Sequence, residues 1–499
     1  LVQKTYNPNR VLTPLKRSNP RKGRDEDPGF VAISWDEAYG LIADRLNRIR
    51  GEGLRDASGY PRVAASFGGG GTPQSYMGTF PAFLSAWGPV DMGFGSGQGV
   101  KCYHSEHLYG EFWHRAFIVA PDTPLCNYLI SCGSNIEASG GVVGIWRHSK
   151  ARVRGMQRVQ VEPHLSVTGA CSAQWVPIKP KTDPAFLYAL IHVMLHEVAR
   201  DRLDLPFLRQ RTASPYLVGP AGYYLRERAS RKPLVWDLRS ASARVHDAPD
   251  IEEALEGSYA VDAIEIGPDG DVVGDGLLQG QTAFTRLVGH MLPYAPEWAQ
   301  TICDVPAEAM RRIALDYVGH ACVGQTIDIE GQTMPYRPVA VTLGKTVNNG
   351  WGGFECCWAR TVLATLVGAL EVPGGTIGTT VRLTRPMSQR HDSVTPGPDG
   401  FMHYPLNTTD KAKWAPTPNI RNAYRTMVPL AADGPWSQAL GPTHFSWMFM
   451  DETPKGLPRV GPPDVWFLYR TNPAISFWDT DALGEKMARF PFVVAFAYS

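Results

Sequence analysis

The sequence predicts a multi-domain α/β protein with mostly parallel sheets covered by helices on both faces. Short apolar runs that stop at a glycine or asparagine turn recur along the chain, and longer segments with helical spacing separate them. That alternation is the pattern of strand, crossover helix and parallel strand. The 499 residues, 43% apolar and 19% charged, supply about three domains with cores of their own. Fifty glycines and 41 prolines favour tight turns and long loops over a helical bundle. The same figures exclude a small binding module and a disordered chain, and a formal net charge of +1 excludes a nucleic-acid-binding charge field.

Pro8, Pro14, Pro20 and Pro28 interrupt the basic opening stretch, so residues 1–29 read as a linker that cannot hold a helix. Ser34, followed three residues later by Glu37, forms a capping box and predicts a helix over 35–50, with Leu41, Ile42, Leu46 and Ile49 on one face. Strands are expected at 62–67 before Gly68, at 127–132 before Gly133-Ser-Asn135, and at 158–161 before Glu162-Pro-His-Leu-Ser166. Two more fall at 465–469 before Arg470-Thr-Asn-Pro473 and at 492–496. The stretch 201–300 reads as an irregular insertion with a hairpin near 264–273. A helix opens at Pro306, where a missing N–H costs nothing, and 387–463 reads as long loops.

Three-part organisation follows. Residues 30–100, 305–380 and 460–499 are expected to form a discontinuous α/β cofactor-binding domain. Residues 101–304 would form a second α/β dinucleotide-binding domain, and 381–459 a loop-rich insertion. The eight cysteines show no C-x-x-C pair, which favours a reducing compartment over a disulfide framework. No run reaches the ~18 uncharged apolar residues of a membrane span; the apolar segment 185–198 carries His192, His196 and Glu197. The chain starts at Leu1 without methionine and stops at Ser499 inside a strand-like run, so it reads as an internal piece of a longer protein.

The densest chemical cluster is Lys101-Cys-Tyr-His-Ser-Glu-His-Leu-Tyr-Gly-Glu-Phe-Trp-His-Arg115. On chemistry alone Cys102, His104 and His107 form either a metal triplet, including a zinc site, or a helix start with a buried cysteine and hydrogen-bonded histidines. Gly344-Lys-Thr346 lacks the earlier glycine of a phosphate loop, because that position is Val339, so nucleotide hydrolysis is discounted.

Asn7-Pro-Asn-Arg10, Pro14-Leu-Lys-Arg17, Ile33-Ser-Trp-Asp-Glu-Ala38, Gly133-Ser-Asn135, Val161-Glu-Pro163, Pro177-Ile-Lys-Pro-Lys-Thr-Asp183 and Thr471-Asn-Pro473 occur in that order. The succession resembles the catalytic subunits of the molybdopterin oxidoreductases of the dimethyl sulfoxide reductase type, over nearly the whole chain. The resemblance implies one molybdenum or tungsten held by two molybdopterin guanine dinucleotides. It also implies an N-terminal domain with a 4Fe–4S cluster and a C-terminal β-barrel, both missing from this piece.

Carried over by position, the resemblance makes Cys102 the protein ligand of the metal and His104, Glu106, His107 and His114 proton carriers around it. Gly133, Ser134 and Asn135 would meet dinucleotide phosphates. Glu162, with Ser166 on the same turn, would accept from ribose hydroxyls, and Lys181, Thr182 and Asp183 would hold the guanine, Asp183 pairing bidentately with its amino and imino groups. Asp183 also reads as the N-cap of the following helix. Thr471, Asn472 and Pro473 would serve the second dinucleotide, and Gly344 and Asn348 would approach the pterins.

The implied activity is two-electron oxidation or oxygen-atom or hydroxyl transfer with water. Electrons would leave through the iron–sulfur cluster to an iron–sulfur electron-transfer subunit; a membrane anchor subunit is implied beyond it, and no nucleic acid. The implied setting is cytoplasmic, membrane-associated through partners, with a periplasmic one left open. The branch most similar in appearance includes phenylacetyl-CoA:acceptor oxidoreductase, giving phenylacetyl-CoA oxidation to phenylglyoxylate as the expected reaction. Thiosulfate or polysulfide reduction, and a metal-free electron-transfer scaffold, are the alternatives.

Overall fold

The computed structural model describes residues 6–57, 61–67, 80, 83, 86–94, 105–114, 119–267, 270–348, 352–378, 395–396, 402–403, 461–469, 471–476 and 480–497. They divide into two compact units, Leu1–His104 with His391–Ser499, and Ser105–Arg390.

The first unit is built on a four-stranded parallel sheet in the order Val493–Phe496, Val465–Tyr469, Val63–Phe67, Asp91–Phe94. Helix Trp35–Glu52 starts where expected: the Ser34 hydroxyl accepts from the Glu37 N–H at 3.1 Å. Glu37 does not reach back to complete the box; its carboxylate accepts from Lys16 Nζ at 3.2 Å. Leu46 and Ile49 of this helix pack on Val63, Ala65, Val465 and Phe467. Each apolar side chain so buried contributes about 1.5–3 kcal/mol. On the other face Trp466 stacks on Phe490, ring centroids 4.3 Å apart, and donates from Nε1 to Ser66 Oγ at 2.9 Å. Arg62 pairs with Glu52 at 2.7 Å and Asp464 at 2.6 Å, tying the starts of the two central strands to the helix end.

The second unit holds another four-stranded parallel sheet, ordered Val339–Leu343, Tyr128–Cys132, Gln157–Val161, Gln174–Val176. Beneath it runs helix Asp183–His192, of which Ala185, Phe186, Leu187, Ala189, Leu190 and Ile191 are buried. Helices Pro296–Cys303, Ala307–His320 and Gly353–Leu366 pack on it, forming the largest apolar core. The described cysteines are all free thiols. No helix among the described residues is long and apolar enough to cross a membrane.

Two expectations of organisation change. Residues 305–380 belong to the second unit, because strand Val339–Leu343 pairs in register with Tyr128–Cys132, Val339 opposite Tyr128 and Leu343 opposite Cys132. The stretch 201–300 is more regular than expected. Ser258–Ile266 and Val272–Thr282 form a long antiparallel hairpin, flanked by Leu225–Arg226 and Leu217–Val218, around a small core of Leu217, Leu225, Leu234, Val261 and Ala263. Most of 381–459, expected as loops, lies outside the described residues.

Candidate functional site

In the second unit the strand order reverses at Tyr128–Cys132. The next strands in sequence lie to one side, whereas Val339–Leu343 joins from far along the chain on the other. Ligands of open parallel sheets bind outside the strand carboxyl ends at such a point. Gly133 and Gly344 follow the last residues of these two neighbours, and glycine is required at both. Gly133 has φ +63°, and a Cβ there would lie 2.7 Å from Val347 Cγ2. A Cβ on Gly344 would run into the Gly133 carbonyl oxygen. The backbones are held this close by the Gly344 N–H donating to Cys132 O at 2.7 Å and the Gly133 N–H to Val161 O at 2.9 Å.

Ser134 and Asn135 open the loop beyond. Their backbone N–H groups donate to no protein group among the described residues, which leaves two donors at a strand end for an anion. The Asn135 side chain itself is occupied, its Oδ1 accepting from Thr168 Oγ1 at 2.8 Å. On the next strand Glu162 is buried; it accepts from the Ser166 N–H at 2.8 Å and from Gln160 Nε2 at 2.9 Å. Ser166 in turn caps helix Val167–Ala170. Glu162 thus shapes the turn as well as offering its remaining lone pairs to a ligand.

The turn before helix Asp183–His192 closes the site. Lys181 adopts φ +67° and donates from Nζ to Thr346 O at 2.6 Å, joining this turn to the one after Gly344. The helix N-cap is Thr182, not Asp183, and its side chain bonds Lys179 O instead of capping. The capping role expected of Asp183 is therefore not the one it has: it is the first helical residue. Its carboxyl is buried with no side-chain partner among the described residues. Burial raises its pKa, opposed only by the local backbone and Lys181. Burial and then the Asp183 charge push the thiol of Cys132 up.

Two buried polar residues escaped the sequence reading. Gln160 links Ser134 O, at 3.0 Å, to Glu162. Arg158 bonds Ser172 Oγ, Thr168 O and His148 Nδ1 and pairs with Glu137 at 2.9 Å. Their signal was present: polar residues alternate within a strand otherwise buried on both faces. Burial and then the Arg158 charge lower the His148 pKa from 6.5 to about 4. The folded form therefore resists protonation that the unfolded chain accepts, and stability falls as pH drops from 6.5 towards 4. His148→Gln should flatten the dependence of thermal midpoint on pH in that window; an unchanged slope would refute the assignment.

The cluster around position 102 is only partly described. Cys102 and His104 lie outside the described residues, as does the side chain of His107. Among the described residues no three His, Cys, Asp or Glu side chains gather as a metal site. Glu106 is described, and its carboxylate is held in a buried ion pair. Its Oε2 accepts from Arg360 Nη1 at 2.7 Å and Asn348 Nδ2 at 3.2 Å. Burial alone would raise its pKa, but the Arg360 charge and hydrogen bond outweigh it and hold the carboxyl below its ordinary value. His114, buried at the end of the π-helical turn Gly110–His114, bonds Glu371 Oε1 through Nδ1 at 2.6 Å.

In the first unit Thr471, Asn472 and Pro473 follow strand Val465–Tyr469, and Pro473 opens helix Pro473–Ser476. The Thr471 hydroxyl is buried without a partner among the described residues.

Each unit is thus an α/β fold built on a four-stranded parallel sheet. The chain is 26% identical over 405 residues to a sulfite dehydrogenase of Allochromatium vinosum, covering 75% of this chain and 38% of that protein. It is 25% identical over 392 residues to a dimethyl sulfoxide reductase of Haemophilus influenzae, with the same coverage. Over 211 residues it is 26% identical to the thiosulfate reductase molybdopterin-containing subunit of Salmonella typhimurium, covering 40% of this chain and 24% of that one. The structure superposes on acetylene hydratase from Pelobacter acetylenicus with a TM-score of 0.58 at 15% identity, covering 99% of this chain and 54% of that one. No protein-family model matches. The chain is homologous to molybdopterin catalytic subunits of the dimethyl sulfoxide reductase family, and it spans under two fifths of the length of these curated relatives.

Proposed function

We propose that this chain is the cofactor-binding core of a molybdenum or tungsten oxidoreductase with two molybdopterin guanine dinucleotides. The observation that carries this reading is the buried Asp183, whose carboxyl has no side-chain partner among the described residues, on the turn that Lys181 ties to the one after Gly344. The residues present fit the group. The N–H groups of Ser134 and Asn135, which have no acceptor among the described residues, suit a phosphate. Glu162 suits ribose hydroxyls. Asp183, directly after Lys181 and Thr182, suits the paired N–H groups of guanine. Thr471, Asn472 and Pro473 would serve the second dinucleotide, Gly344 and Asn348 the pterins, and Cys102 the metal.

When bound, the cofactor supplies the two-electron redox chemistry. The chain's residues orient it, shield it and handle protons. In the tautomer that donates from Nδ1 to Glu371, His114 has Nε2 left to hold a proton; His104 and His107 remain the other candidates. Electrons would pass to a 4Fe–4S cluster and an iron–sulfur partner subunit, with a membrane anchor subunit beyond it.

The substrate reading best supported is an inorganic sulfur compound, because relatives named for sulfite and thiosulfate are among those the chain matches. Phenylacetyl-CoA oxidation is the second reading, resting on the resemblance of the stretch from Lys101 to His107. A dye-linked assay decides between them: sulfite or thiosulfate turnover without phenylacetyl-CoA turnover supports the first, and the reverse supports the second. No turnover with full metal content would contradict both.

A further inference from the structure

Glu106 lies four residues beyond Cys102 in the chain, and its carboxylate is a buried junction. Oε2 receives Arg360 Nη1 at 2.7 Å, Asn348 Nδ2 at 3.2 Å and the Cys357 thiol at 3.9 Å, while Oε1 receives the Val119 N–H at 3.4 Å. Ser105, beside it, donates from Oγ to the Asn348 carbonyl. One carboxylate thus joins the segment that follows Cys102, the turn that follows Gly344, and helix Gly353–Leu366. The far end of the same segment is pinned separately, by His114 on Glu371, which also accepts from the Gly378 N–H at 2.6 Å.

A junction serving only to hold helices together would satisfy all its own polar atoms. This one does not. Arg360 Nη2 and Asn348 Oδ1 are buried and without partners among the described residues, although Arg360 is 3% and Asn348 2% exposed. A donor and an acceptor, both carried on groups that bind the same Glu106 oxygen, are thus left for a ligand that offers an acceptor and a donor together, as an amide does.

We infer that Glu106 and Arg360 are positioning residues, which with Asn348 fix the segment after Cys102 against the pterin-facing turn and meet an amide edge of the bound cofactor. The inference rests on the functional reading above. It assigns Glu106 a role through Arg360 in place of proton transfer.

Two variants test it in the purified protein. Arg360→Lys keeps a cation beside Glu106 but loses the planar fork and its second donor. Glu106→Gln with Arg360→Met removes both charges together, leaving no unpaired ion. Metal and guanine content, the paramagnetic resonance spectrum of the pentavalent metal, and kcat with KM are read in each. The expected result is folded protein with metal and guanine content near that of the unsubstituted protein, a changed resonance spectrum, and kcat down about 100-fold with KM little altered. Unchanged spectrum and kcat in Arg360→Lys would overturn the inference whether or not the double variant folds. Absence of molybdenum, tungsten and guanine from the unsubstituted protein would overturn the functional reading first, and this inference with it.

Discussion

Asp183→Asn should release guanine nucleotide while leaving the empty protein more stable. In the bound state the carboxylate offers two charged acceptors to adjacent N–H groups; asparagine keeps one neutral acceptor and brings a donor that faces the ligand's donors. The loss is roughly 2–3 kcal/mol, on the order of 100-fold in Kd. In the empty protein the sign is opposite. Burial raises the folded-state pKa of Asp183 above its ordinary 3.8, so its favourable contribution is complete below that value and is lost as pH rises through the folded value. At neutral pH the carboxylate is a burden that asparagine removes. Cofactor-free Asp183→Asn should therefore melt higher than the parent at pH 7, and the difference should vanish in acid. A variant that retained guanine at the parent level would remove Asp183 from the binding site.

Gly344→Ala should be the most damaging single methyl group in the second unit. Its Cβ would meet the Gly133 carbonyl oxygen, the Gly133 carbonyl carbon at 2.5 Å and the Ser134 nitrogen at 3.0 Å, all backbone atoms. Neither strand end can yield freely, because the Gly133 N–H is bonded to Val161 O and the Gly344 N–H to Cys132 O. Overpacking of this kind costs about 1–3 kcal/mol or more, and it pushes apart the two turns that form the crevice. Loss of thermal stability and of bound guanine together is expected. Gly289→Ala is the control: it lies in helix Ala283–Met291 with nothing within 4 Å of its Cβ, and should stabilise by about 0.5–1 kcal/mol. Equal behaviour of the two variants would remove the crevice from the account.

Local signals in the sequence locate the strands well. Val465–Tyr469 has the expected bounds, Tyr128–Cys132 and Gln157–Val161 differ by a residue at their starts, and helix Trp35–Glu52 begins at its cap. Each is written in its own few residues, as an apolar run and the turn that stops it. Partnership across the chain is not written locally. Nothing in Val339–Leu343 says that it pairs with Tyr128–Cys132, which is why residues 305–380 read as part of the other domain. Glu106 is legible as an acid in a histidine-rich stretch, but its partner Arg360 lies 254 residues away. A lone arginine in the largely apolar helix Gly353–Leu366 is the only trace of it. Asp183, by contrast, stands out through its motif, and the structure adds what a motif cannot: its burial, with no side-chain partner among the described residues.

The most direct measurement is elemental analysis of the anaerobically purified protein, with acid release of bound nucleotide. The account predicts about one molybdenum or tungsten and two guanine nucleotides per chain, as the carry-over of two dinucleotide sites to one metal requires. Zinc alone, or neither metal nor guanine, would contradict it and leave a scaffold that keeps the fold without the chemistry.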